Sequence, residues 1–425
     1  MMKTLLLKNG SVLHPDGRIE REDLLIDKGK IRTIGRIELC PEMDVLDAAG
    51  GLILPGMIDP HVHFREPGFL AKEGIENGSR AAVKGGVTTV FDMPNTDPPC
   101  DTPEAFEAKE RLFKEKSLVN WGLHFMATPD MRDIPERAAS AKIFMARSSS
   151  RSAWNRKDVL LSIFRKARRV TIHAEDESCF TCASQHHLRR PRKAIRTALE
   201  TIRRVLMLLP EKERPRVVIC HASTLEDVQW LADMKAKGVD VWGETAPHYL
   251  WFTREDEQQY GARYQVNPPL RDVADRDAVR QGIRDGIVDF IGTDHAPHTP
   301  AEKRSDNPPS GIPGIEWAVP AILELAEQNL LSRSRITRLI SSGAAACYGI
   351  AGYHGIRRGS VADLIVLKKG ERAEPVITKA GYNPYERIPL TYLVDTVLIQ
   401  GKVVFLNKDF VTRNKGKEII GAFTG

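Results

Sequence analysis

The amino-acid sequence predicts an α/β protein: a (β/α)8 barrel of the TIM type, with a small composite β-sandwich domain formed by the N- and C-terminal segments. Three observations predict it. Between residues 56 and 350, runs of strand character alternate with helix-length segments, which implies crossover connections and a parallel sheet. Both ends of the chain instead carry short strands punctuated by turns, with no room for helices between them. Polar residues fall at the ends of the central strands, where a barrel of this kind keeps its chemistry.

In chain order, Thr4 to Leu7, Ser11 to Leu13, Asp23 to Ile26 and Lys30 to Ile34 read as strands, with Asp16-Gly17 and Lys28-Gly29 as turns. The barrel strands are expected at Met57 to Phe64, Gly86 to Met93, Val119 to Thr128, Ala141 to Met145, Val170 to Ala174, Arg216 to Ala222, Val239 to Glu244 and Val288 to Thr293. Eight strands close such a barrel. After residue 350 the turn-rich texture returns in Val361 to Leu367 and Leu393 to Ile399, and Gln400-Gly401-Lys402 turns the chain into Val403-Val404-Phe405. Neither terminal segment has enough apolar residues to stand alone, so residues 1–55 and 351–425 are expected to pair as one domain beside a barrel of residues 56–350.

Composition narrows the function. With 42% hydrophobic and 28% charged residues over 425 positions, the chain has ample material for a core, which argues against disorder. The apolar run Leu5-Leu6-Leu7 stops at Lys8-Asn9-Gly10, too short for a signal peptide, and no stretch reaches the roughly 20 apolar residues of a membrane span. A cytoplasmic protein without a membrane partner is expected. Much of the formal charge of +6 comes from the segment Arg189 to Arg216, which lacks interleaved aromatic residues and reads as a solvated helical face rather than a nucleic-acid surface. Cysteines at 40, 100, 179, 182, 220 and 347 do not form a disulfide framework, and Cys179-x-x-Cys182 has no second pair to complete a zinc site. Oligomeric state is not legible, and a homodimer stays open.

The chemistry centres on Asp59-Pro60-His61-Val62-His63-Phe64-Arg65-Glu66-Pro67-Gly68. Side chains two apart on a strand share a face, so His61 and His63 can offer two imidazoles to one centre. The fifth strand ends near His173, the sixth near His221 and the eighth near Asp294. Nitrogen and oxygen ligands of this kind suit zinc. Four imidazoles and a carboxylate exceed one open tetrahedral site, which implies two metals, and two dications roughly 3.5–4 Å apart need an anionic bridge. Lys142, on the fourth strand, has two readings: a strand-edge residue whose ammonium reaches solvent, or a neutral amine that takes up carbon dioxide and bridges the metals as a carbamate.

The order His-x-His, Lys, His, His, Asp resembles the amidohydrolase superfamily. The phrases Pro55-Gly56-Met57-Ile58-Asp59, Phe64-Arg65-Glu66-Pro67-Gly68, Gly85-Gly86-Val87-Thr88-Thr89, Met93-Pro94-Asn95-Thr96, Thr293-Asp294-His295-Ala296-Pro297-His298 and Gly359-Ser360-Val361-Ala362-Asp363-Leu364 resemble its dihydroorotases. The resemblance implies two Zn2+ per chain, bridged by carboxylated Lys142 and hydroxide, with His61, His63, Lys142 and Asp294 on one metal and Lys142, His173 and His221 on the other. It implies a small-molecule substrate and reversible cyclisation of N-carbamoyl-L-aspartate to L-dihydroorotate in pyrimidine biosynthesis, with Asp294 as the catalytic proton carrier. Arg65, Asn95 and His298 are implied to hold the substrate carboxylate, Asn267 the ring, and the loop Ser310 to Glu316 to offer backbone groups. Each has a plainer reading: Arg65-Glu66 as a surface ion pair, Asn95 and Asn267 as turn residues, His298 as a helix cap. Allantoinase and dihydropyrimidinase share the metal set and compete, as does a non-catalytic structural relative, against which the filled ligand positions argue. Two stretches depart from the pattern: Ala146 to Trp154, bulky and charged where a glycine-containing turn is expected, and Cys179 to Glu213, unusually basic.

Overall fold

The computed structural model describes residues 4–131, 133–147, 154–370, 375–411 and 414–419. Five strands precede the barrel: β1 (Leu5–Leu13), β2 (Ile19–Asp27), β3 (Lys30–Gly35), β4 (Asp44–Asp47) and β5 (Leu52–Pro55). The barrel strands are β6 (Met57–Val62), β7 (Val87–Asp92), β8 (Asn120–Leu123), β9 (Phe125–Met126), β10 (Ala141–Phe144), β11 (Arg169–His173), β12 (Arg216–Ile219), β13 (Val241–Thr245) and β14 (Phe290–Ile291). Four more follow: β15 (Leu364–Lys369), β16 (Tyr392–Ile399), β17 (Lys402–Leu406) and β18 (Asp409–Phe410).

The two ends of the chain make one nine-stranded sheet in the order β18-β17-β16-β15-β5-β1-β2-β3, with β4 on β1. The segments join where β5 runs antiparallel to β15, from Leu52↔Leu367 to Pro55↔Leu364. The sheet curls back on itself, since Lys30 at the start of β3 also bridges Val361 just ahead of β15. Leu7, Val12, Leu24, Ile53, Leu364 and Leu398 fill its core. Lys28-Gly29 and Gln400-Gly401 both take left-handed φ (50° and 77°, 51° and 75°), as a two-residue hairpin turn with the twist of its strands requires. The two strands expected before His14 are one. Asn9 absorbs the interruption at φ 59° while its N–H donates to Asp23 Oδ1 (2.8 Å), and the pairing shifts register between Leu7 and Gly10 without ending.

The barrel strands run parallel in two sections, β6-β7-β8 and β9-β10-β11-β12-β13-β14. The run read as Val119 to Thr128 divides at His124, whose Nε2 and Nδ1 bond Pro60 O (2.9 Å) and Ser140 Oγ (2.8 Å), so the chain itself links the sections there. On the other side a parallel bridge, Val62↔His295, joins the end of β6 to the loop after β14. This is the TIM-like ring. The helices α1 (Ile75–Lys84), α2 (Pro103–Lys116), α3 (Lys157–Lys166), α4 (His186–Arg189) and α5 (Arg192–Leu208) fall within the crossovers. In α5, Ile195, Ala198, Leu199, Ile202, Val205 and Leu206 recur at helical spacing and are buried, which turns Arg203 and Arg204 outward onto Glu200. The basic segment is thus mainly a solvated face, with one exception, Arg190, which is buried. All six cysteines are free. Among the described residues, no helix is long and apolar enough to cross a membrane.

Candidate metal centre and active site

Five of the barrel strands, β6, β10, β11, β12 and β14, deliver polar side chains from within or just past the strand to a common mouth. His61 sits within β6 and His63 just past it, Lys142 within β10, and His173 at the end of β11. His221 and Asp294 lie two and three residues beyond β12 and β14. Arg65, His221 and Asp294 take left-handed φ of 65°, 39° and 48°. Such backbone is strained for non-glycine residues and persists where the surroundings enforce it.

One pocket is lined by His61, His63, Arg65, Lys142, Phe144, His173, His221, Asn267, Asp294, Ala296, Ser310 and Gly311. Within it the groups form two adjoining sets. Asp294 Oδ1 lies 3.3 Å from His61 Nε2 and 3.2 Å from His63 Nε2, a cluster that can hold a metal ion. His173 Nδ1 lies 3.0 Å from His221 Nε2, and the His61 and His221 rings stand 5.4 Å apart. Lys142 is fully buried, with Nζ 2.9 Å from Cys220 Sγ and 5.1 Å from the Phe144 ring centre. Burial removes the reading in which its ammonium reaches solvent.

The electrostatics suit a cation. Burial lowers the His63 pKa to about 4, helped by Arg65, against the pull of Asp294. Burial and His173 hold His221 well below its ordinary value. Burial would raise the Asp294 carboxyl, but His61 and His63 keep it well below the usual carboxylate range. His61 is the exception: burial and Lys142 pull it down, yet Glu244 and Asp294 raise it to about 10. A dry cluster of imidazole lone pairs facing an ionised carboxylate is a donor set that a zinc ion fits.

Asn95 and His298 stand one layer behind this lining. Asn95 Oδ1 lies 2.8 Å from His63 Nδ1, and His298 Nε2 lies 3.2 Å from Arg65 Nη2 and 3.1 Å from Ser310 O. Arg65 is buried, with Nε donating to Pro297 O at 3.3 Å. It makes no surface pair with Glu66, which instead engages Lys116 and the N–H of Ile75. Thr299, not His298, caps the short helix Pro300–Lys303. Asn267 Oδ1 lies 3.0 Å from His186 Nε2. In the atypical stretch after Lys142, residues 148–153 lie outside the described residues.

Several supporting residues escape a reading of the sequence alone. Glu244, at the end of the seventh barrel strand, places Oε1 2.6 Å from His61 Nδ1 and 3.3 Å from the His221 backbone nitrogen. Its strand-end position is the signal that could have found it. Glu175 backs His173, and Arg190 backs Glu175. Gly292 makes room for this layer, since a Cβ there would meet His61 Cβ at 2.7 Å and Glu244 Cδ at 2.9 Å.

The model of the amidohydrolase family matches residues 52–242 and 244–404, most of the chain and all of the pocket lining. The chain belongs to the amidohydrolase family. Among curated amidohydrolase relatives, the dihydroorotase of Methanosarcina acetivorans is 32% identical over 98% of this chain and 95% of its own. That of Pyrococcus furiosus is 34% identical over 93% and 91%. Among solved structures, the dihydropyrimidinase of Brevibacillus agri NCHU1002 superposes with a TM-score of 0.86 at 26% identity, covering 98% of both chains. The L-hydantoinase of Arthrobacter aurescens reaches 0.90 at 24% identity over 99% of this chain and 100% of its own, a likeness of fold.

Proposed function

We propose that this amidohydrolase is a dihydroorotase, a cyclic amide hydrolase that interconverts L-dihydroorotate and N-carbamoyl-L-aspartate in pyrimidine biosynthesis, in the cytoplasm. One observation carries the reading. A buried arginine, Arg65, faces the same pocket as the four histidines, Lys142 and Asp294, on a chain alignable end to end with dihydroorotases. Dihydroorotate carries a carboxylate that hydantoin and allantoin lack, and a guanidinium is the side chain best shaped to grip one. The reading takes residues 56–350 as the catalytic barrel and the composite sheet of residues 1–55 and 351–425 as its support.

Two zinc ions fit the donor set. One is assigned to His61, His63, Lys142 and Asp294 and the other to Lys142, His173 and His221, with Lys142 carboxylated as the shared anionic ligand. When bound, they supply Lewis acidity toward the ring carbonyl and an acidified water as the nucleophile. Asp294 has one oxygen turned to the His61 and His63 nitrogens, and its other is available to move a proton. In ring opening it accepts the proton of the attacking water and delivers it to the departing ring nitrogen. In ring closure it acts in its protonated form, so cyclisation gains as pH falls. Arg65, supported by His298, holds the carboxylate, and Asn267 with the Ser310-Gly311 backbone borders the ring.

The test is a comparison of kcat/KM for dihydroorotate, allantoin, hydantoin and dihydrouracil, with zinc measured in the same preparation. Dihydroorotate is expected to lead by about 10- to 150-fold, the worth of a charge-assisted carboxylate contact of roughly 1.5–3 kcal/mol. A lead for a substrate without a carboxylate overturns the assignment. So does less than about one zinc per chain with no activity gained on adding zinc and bicarbonate.

A further inference from the structure

We propose that Arg190, together with Glu175, is a positioning residue that aims His173 and so sets the affinity of the metal shared by His173 and His221. The inference rests on the two-metal reading above. Arg190 belongs to the basic stretch that otherwise faces water, yet it is 5% exposed and its guanidinium lies 4.3 Å from the centre of the Phe180 ring. Its Nε donates to Glu175 Oε2 at 3.0 Å, and its Nη2 converges on the same oxygen while lying 3.2 Å from His173 Nε2. That oxygen is also 2.9 Å from His173 Nε2, while Glu175 is fully buried and its Oε1 finds no partner among the described residues.

The carboxylate is thus held by one cation and spends its bonding on one imidazole. A carboxylate accepting from Nε2–H leaves Nδ1 as the lone-pair atom of His173, and Nδ1 is the atom 3.0 Å from His221 Nε2. Arg190 is itself anchored, because Arg271 Nη2 donates to its carbonyl at 2.6 Å and Arg271 Nη1 to that of His187 at 3.0 Å. Neither His61 nor His63 touches this assembly; their supports are Glu244 and Asn95. The effect of losing Arg190 should therefore fall on one metal and spare the other.

The test titrates metal-free wild type, Arg190→Met and Arg190→Lys with Co2+, read by optical absorption under chelator competition, with thermal unfolding of each metal-free protein as the check on folding. Wild type is expected to take two ions. In Arg190→Met one ion keeps wild-type affinity and the other weakens by about 10- to 100-fold, as for loss of a group that orients a ligand. Arg190→Lys falls between, and its milder change keeps the test valid if the methionine variant does not fold. At limiting Co2+ the methionine variant should lose kcat with KM for dihydroorotate unchanged, and excess Co2+ should restore it. Wild-type affinity at both sites in the two variants, or equal loss at both, overturns the proposal. A wild type that takes fewer than two ions refutes the two-metal reading instead.

Discussion

Replacing Glu244 probes the support of the other proposed metal site. Its Oε1 lies 2.6 Å from His61 Nδ1 with both residues buried, so this is a desolvated, charge-assisted hydrogen bond. Such bonds contribute roughly 1.5–3 kcal/mol, and each 1.4 kcal/mol is a factor of about ten. Glu244→Gln keeps the shape and a neutral acceptor, so zinc affinity at His61 and His63, compared with His61 deprotonated, should fall by about 10-fold. Glu244→Ala removes the acceptor altogether and should cost about 100-fold. The pH dependence supplies a second reading. In the metal-free protein, burial and Lys142 lower the His61 pKa but Glu244 and Asp294 raise it to about 10. Near neutral pH zinc must therefore displace a proton from His61, and binding should tighten with rising pH until about 10. Glu244→Gln lowers that pKa and should flatten the slope. By the same linkage, the raised pKa stabilises the metal-free fold below the unfolded histidine value of about 6.5. That stabilisation is lost as pH rises through about 10. Chelator-competition titrations of zinc at several pH values measure both effects. Unchanged affinity and slope in Glu244→Ala would refute the argument that this carboxylate holds His61 for the metal.

Three further outcomes are expected. Lys142→Ala should lose tight binding of the second metal while the histidines remain, and unchanged stoichiometry by elemental analysis would count against a carbamate. Arg65→Met should raise KM for dihydroorotate by about 10- to 150-fold with a smaller effect on kcat, because the lost contact of roughly 1.5–3 kcal/mol is to a non-reacting group; steady-state kinetics decide. Gly292→Ala should displace His61 or Glu244, given the 2.7 and 2.9 Å approaches of the added Cβ, and weaken zinc binding while leaving far-UV circular dichroism unchanged.

The barrel and the convergence of polar residues from its strand ends were legible because both follow local rules. Period-two alternation places His61 beside His63, and helix-length spacers dictate parallel strands. What escaped depends on tertiary proximity. Glu244 bonds a histidine 183 positions away, and Glu175 meets an arginine 15 positions further on within a stretch whose other arginines are partly or fully exposed. Asn95 and His298 carry side chains suited to a carboxylate, and only the assembled fold shows them braced against His63 and Arg65. The left-handed turns at Arg65, His221 and Asp294 follow no glycine signal, since the surroundings rather than the residue impose them. The sequence divides β1 in two because Lys8-Asn9-Gly10 interrupts its apolar run, whereas Asn9 tolerates a bulge inside a continuous strand.

The bridge between Val62 and His295 brings together the first and last strands of the ring at the point where His61, His63 and Asp294 meet. During synthesis on the ribosome, the histidine pair emerges more than two hundred residues before its carboxylate, and the long-range closure that unites them comes late. A nascent or truncated chain that ends before Asp294 carries the dyad without its acid partner. The three groups that could hold one ion, His61, His63 and Asp294, are therefore brought together only once the last strand of the ring has joined the fold.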